Sequence, residues 1–130
     1  MRPLTFSSGP ARLLTAALLG TLAFGANADV ITDWNAKAGN VIVESKLGTP
    51  PAIRVMAIVQ TAVDEAVAAA AADARGASID AAVAAANRAT LTKLIPAQRG
   101  SVESTYLAAL AEIPDGAAKD AGVAAGERAA

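Results

Sequence analysis

The chain is 130 residues long, carries 11 basic and 12 acidic side chains, and contains neither Cys nor His. That length suits one modest domain. The composition excludes disulfide staples and zinc–thiolate sites, removes the commonest general base and metal ligand, and gives nucleic acid no basic face to bind.

The first 28 residues read as an export signal. Arg2 and Arg12 flank a stretch without acids, and Leu13 to Phe24, "LLTAALLGTLAF", forms an apolar core of about a dozen residues. A membrane span needs ~20. Ala26-Asn27-Ala28 supplies the small-x-small pattern of a signal-peptidase site, so cleavage is expected after Ala28 and the mature chain belongs in the periplasm or outside the cell. Without Arg2 and Arg12 the mature part keeps nine basic residues against twelve acidic ones, a net charge of −3.

More than a quarter of the residues are alanine, the best helix former, so the fold class is all-α. A first helix is expected from Asp33, as N-cap, to Leu47, before Gly48-Thr49-Pro50-Pro51. The lone Trp34 docks on the core. Thr49 caps a second helix whose first turn takes the prolines, and which runs to Arg75 with Gly76 as stop. Ile53, Met56, Val63 and Val67 line one stripe, while Val55, Ile58, Val59 and Ala62 cover much of the rest. A helix apolar over so much of its surface is expected to be the buried, central one. Arg54, Asp64 and Glu65 argue against a membrane span.

Ser78 caps a third helix with Asp80 in its first turn, an apolar face of Ile79, Val83, Leu91, Leu94 and Ile95, and Pro96 at its end. A fourth, roughly Ala97 to Glu112, places Val102, Tyr106, Ala109 and Ile113 on one stripe, with Leu107 and Leu110 beside it. Asp115 caps a fifth, from Gly116 onward, containing Gly122 and Gly126. Short connections predict antiparallel neighbours, so residues 29–130 are expected to form a partial bundle of four to five antiparallel helices. Alanine side chains let helices approach closely but bury little area each, which marks the bundle as one layer of something larger.

Catalytic constellations are absent from the sequence: no phosphate loop, no paired-His motif and no nucleophile elbow. Asp64 and Glu65 point about 100° apart on a helix and do not face each other. Gln60 and Asp64, four apart, share a face and suit a polar network between helices. Arg54, Arg75, Arg88 and Arg99 share no spacing and read as solvated surface. No catalytic, cofactor-binding or metal residue is therefore assigned.

Taken in order, two segments resemble a known family. "DWNAKAGNVIVESKLGTPPAIRVMAIVQTAVDEAV" is similar to the N-terminal helices of bacterial vanadium-dependent haloperoxidase-like proteins, within the type-2 phosphatidic acid phosphatase superfamily. "LIPAQRGSVESTYLAALAEIPDGAAKDAGVAAGERAA" resembles the part that follows, with its Pro-Ala-Gln turn, its Ile-Pro-Asp-Gly turn and a Gly-x-x-x-Gly helix. The resemblance covers Asp33 to Ala130. Where relatives often show His in the second helix and a Tyr-Asp pair after it, this chain has Gln60 and Asp64-Glu65.

The resemblance implies an enzyme whose helical bundle binds vanadate or phosphate through a Lys and Arg-Pro segment, a Pro-Ser-Gly-His segment and a Ser-Arg…His segment. None of these occurs here. What it implies is the exported N-terminal scaffold of such a protein, truncated before its C-terminal catalytic half and inactive alone. The alternative is a stand-alone periplasmic or secreted Ala-rich interaction protein that self-associates as a dimer.

Overall fold

The computed structural model describes the backbone of residues 23–130 and the side chains of residues 30–130. Most of the expected signal segment, residues 1–22, lies outside the described residues. Five α-helices follow one another: α1 (Ala23–Glu44), α2 (Thr49–Ala72), α3 (Ile79–Leu94), α4 (Arg99–Ala111) and α5 (Ala117–Ala129). A 3-10 turn, Pro96–Gln98, joins α3 to α4. The described residues contain no strand, as the alanine content predicts.

The helix boundaries follow local chemistry, not always the chemistry expected. Helix α1 already runs through the ten described residues before Asp33, so Asp33 is an interior, exposed residue and not a cap. Its end is set by Ser45, whose hydroxyl donates to the Ile42 carbonyl at 2.6 Å, and by Lys46 in the left-handed region at φ 54°. Helix α2 carries its prolines in the first turn as expected, but Gly48 and not Thr49 holds the cap position, with no side-chain cap bond, and the helix ends at Ala72 and not Arg75. There Asp73 Oδ1 accepts from the Arg75 backbone N–H at 2.8 Å, a local turn that competes with the helical ladder. Ser78 caps α3 as expected, accepting from the Ala81 N–H at 3.2 Å. Asp115 does not cap α5. Gly116 holds that position at φ 146°, and Asp115 instead pairs with Lys119 at 2.8 Å.

The central helix is α3, not α2. Residues Ala81 to Asn87 of α3 are buried without a break, so neighbours cover every side of it. It packs against each of the other four helices. Helix α2 buries one stripe only, Val55, Val59, Ala62, Val63, Ala66 and Ala70, and leaves Ile53 65% and Ile58 38% exposed. Size explains the exchange of roles: a helix ringed by methyl groups admits close neighbours on all sides, whereas a ring of Ile and Val holds them off.

The tightest contact is between α3 and α5. A Cβ placed on Gly122 would strike the Ser78 carbonyl and lie 2.9 Å from Ala81 Cβ. One on Gly126 would strike the Ala82 carbonyl and lie 2.7 Å from Ala85 Cβ. The Gly-x-x-x-Gly face therefore already has its close neighbour inside the chain. The Ser78 N–H also donates to the Ala118 carbonyl at 2.8 Å, and Lys93 Nζ to the Ala130 carbonyl at 3.1 Å. These registers make α3 and α5 run in the same direction. Around this pair the core is filled by Trp34, Val41 and Ile42 from α1 and by Leu91, Val102 and Tyr106.

Candidate functional site

A cleft of about 450 Å³ opens where α1, the start of α3 and α4 meet. Its apolar wall includes Val30, Trp34, Ala109 and Ile113, and its polar groups are Asp33, Lys37, Asp80, Thr105 and Glu112. Trp34 is 3% exposed, so its ring serves chiefly as core, as the sequence indicates, and only its edge reaches the cleft. Asp80 comes from the first turn of α3, where Ser78 starts the helix and aims the next residues toward α1 and α4. Burial pushes the Asp80 carboxyl above its ordinary pKa, and its Oδ1 finds no hydrogen-bond partner among the described residues.

Three carboxyls against one amine make this cleft electrostatically hostile to an oxyanion. The arginines do not convert it. Arg75, at the end of α2, is tied to Asp73 at 2.9 Å, and Arg54 and Arg99 are exposed on α2 and α4. Arg88 departs from the solvated-surface expectation. Its Nη2 and Nε both reach Glu103 Oε1 at 3.0 Å, its Nη1 lies 3.6 Å from Glu127, and its guanidinium sits 5.3 Å from the Tyr106 ring centre. The Glu103 hydrogen bond raises the Arg88 pKa further, while burial raises that of Tyr106 against the pull of Arg88. Arg88 thus clamps α3 to α4 and α5. In the cleft itself Lys37 is the one cation among the lining residues.

Gln60 and Asp64 do not form a network together. Gln60 Nε2 donates to Asn35 Oδ1 on α1 at 2.7 Å, and Asp64 and Glu65 are exposed on α2. No group of three or more acids among the described residues converges as a metal site. Sequence reasoning missed the polar interior of α3. Asn87 is fully buried, its Nδ2 donating to the Val83 carbonyl at 2.9 Å while Oδ1 stays unpartnered, and the buried Thr90 hydroxyl is unpartnered as well. The signal was there in "AAANRATLTK": polar residues spaced on every side of a helix otherwise ringed with alanine.

The described residues form an all-helical structure with an acidic cleft in which a single amine faces three carboxyls. Compared with known proteins, the chain matches no family model, no curated protein and no solved structure.

Proposed function

We propose that this chain is a non-catalytic scaffold: the N-terminal helical layer of an exported haloperoxidase- or acid-phosphatase-like protein. Vanadate or phosphate would be held by residues that this chain does not contain. One observation carries the reading: among the described residues Arg75 and Arg88 are ion-paired away from the cleft, and Arg54, Arg99 and Arg128 are exposed on separate helices, so none of these gathers positive charge for an oxyanion. The order of the segments from Asp33 to Ala130 supports the family, and the absence of His removes its nucleophile or vanadium ligand.

The layer is an up-and-down antiparallel bundle. Three registers support this: Asn35 on α1 meets Gln60 on α2, Arg88 on α3 meets Glu103 on α4, and α3 runs alongside α5 in the same sense. Open apolar side chains, Ile53 on α2 and Leu107 on α4 at 65% and 63% exposure, give it surfaces for further packing. Export with cleavage after Ala28 leaves α1 beginning near Asp29, with Trp34 and the rest of its buried face intact.

The test is turnover. The full sequence is expressed in a bacterial host, purified as the cell delivers it, and assayed for phosphomonoester hydrolysis and for halide oxidation by peroxide, with and without vanadate. No rate above the protein-free control is expected; vanadate-dependent turnover refutes the proposal. A second reading, a stand-alone interaction protein, is favoured by the α3–α5 contact, which closes the small-residue face of α5 within the chain. Cooperative, reversible unfolding of the chain by itself supports that reading.

A further inference from the structure

We propose that the outer face of α2 is a self-association seam that pairs with α2 of a second copy of this chain, antiparallel about a two-fold axis. The seam consists of Arg54, Ile58, Thr61, Glu65, Ala68 and Ala72, all exposed. Their spacing alternates four and three residues, the repeat that keeps one line of a helix facing a partner helix. The buried stripe of the same helix, through Val55, Val59 and Ala66, lies about 120° away on the helical circumference, so the seam lies off the face that α2 turns to the core.

Charge selects the occupant and its direction. Arg54 and Glu65 lie on the seam with Ile58 and Thr61 between them, and neither has an ion-pair partner among the described residues. In an antiparallel pair centred between Val59 and Gln60, Arg54 of each copy meets Glu65 of the other, and Ile58 meets Thr61. The symmetry makes both ion pairs at once, as an isologous interface requires. A parallel pair would set Arg54 on Arg54 and Glu65 on Glu65, which charge repulsion disfavours.

Four seam residues, Arg54, Ile58, Thr61 and Glu65, themselves form one wall of a groove of about 300 Å³ whose other side includes Thr90 and Ala129, and Ile58 of the second copy seats there against Thr61. Thr90, on the groove, is 3% exposed, and its hydroxyl is unpartnered. A lipid bilayer is the competing occupant, because α2 is long and apolar enough to cross one by length and composition and is only 33% buried over that stretch. Insertion would carry Arg54, Asp64 and Glu65 into hydrocarbon. The inference stands whether the chain is one layer of a larger protein or acts alone.

The experiment is sedimentation equilibrium on the full sequence, purified as the host delivers it, beside three variants: Arg54→Glu, Glu65→Arg, and the double swap. Far-UV circular dichroism confirms that each variant folds. The wild type is expected to dimerise reversibly, and either single reversal to raise the dimer Kd roughly tenfold or more, because it turns two attractive pairs into two repulsive ones. The swap is expected to bring Kd back to about the wild-type value. Mixing Ile58→Cys with Thr61→Cys chains is expected to yield a disulfide-linked heterodimer. A monomer at every concentration, a dimer indifferent to both reversals, or flotation of the chain with neutral phosphatidylcholine vesicles overturns the inference.

Discussion

Replacing Gly126 by Ala is expected to destabilise the fold, although on an open helix the same change is favourable by about 1 kcal/mol. The added Cβ would strike the Ala82 carbonyl and lie 2.7 Å from Ala85 Cβ and 2.8 Å from the Ala86 nitrogen. Two of those three atoms are backbone, which no rotamer change can move. Helix α5 must therefore retreat from α3 by about 1 Å, and a gap of that size forfeits up to half of each dispersion contact along the interface. Overpacking of this kind costs about 1–3 kcal/mol. With the propensity gain subtracted, the net loss is up to about 2 kcal/mol, or up to roughly 15 °C in Tm for a domain of this size. Gly122→Ala should behave similarly, since its Cβ would strike the Ser78 carbonyl. The control is Gly39→Ala in α1, where nothing lies within 4 Å and a gain of about 0.5–1 kcal/mol is expected. Urea unfolding followed by far-UV circular dichroism measures all three. If Gly126→Ala matches or exceeds the wild type in stability, the close α3–α5 contact is wrong.

Ser78→Ala removes the cap of α3 and is expected to cost about 1 kcal/mol in the same urea experiment. Arg88→Ala should cost about 1–2 kcal/mol by losing the Tyr106 stack and leaving Glu103 and Glu127 together; Arg88→Lys should not fully recover it, because an ammonium lacks the planar fork. Asp80→Asn tests the buried carboxyl through pH. Burial raises the Asp80 pKa in the folded state, so its protonated form is favoured there, and wild-type stability falls as pH rises from about 3.8 through the raised value. The stability of Asp80→Asn relative to wild type should therefore be greater at pH 7 than at pH 3.5. Asp73 and Asp115 act the other way, because hydrogen bonds from Arg75 and Lys119 lower their pKa values, but their titration is common to both proteins and cancels in the difference.

Five helices and most of their punctuation were legible in the sequence. Prolines and a Ser N-cap act through one or two neighbouring residues, so Pro50, Ser78 and Pro96 do what their types dictate. Asp33 and Asp115 show the limit of that logic. A carboxylate caps only where the chain turns beside it; at Asp33 the helix had already begun, and Asp115 found Lys119 one turn along. Side-chain size misled the choice of central helix, because burial on all sides depends on how near neighbours can come. The Gly122–Gly126 spacing announced a close contact, but only the fold could say that α3 makes it. Arg88 was illegible for a related reason: its partners come from two other helices, 15 and 39 positions along the chain.

The central proposal is that the described residues, 30–130, form no oxyanion site of their own. Isothermal titration of the purified protein with orthovanadate, and separately with inorganic phosphate, tests it most directly. The account predicts no saturable heat with either anion at moderate salt. Saturable one-to-one binding would contradict it, because it would require cations to converge where Arg75 and Arg88 are already paired and the cleft carries three carboxyls.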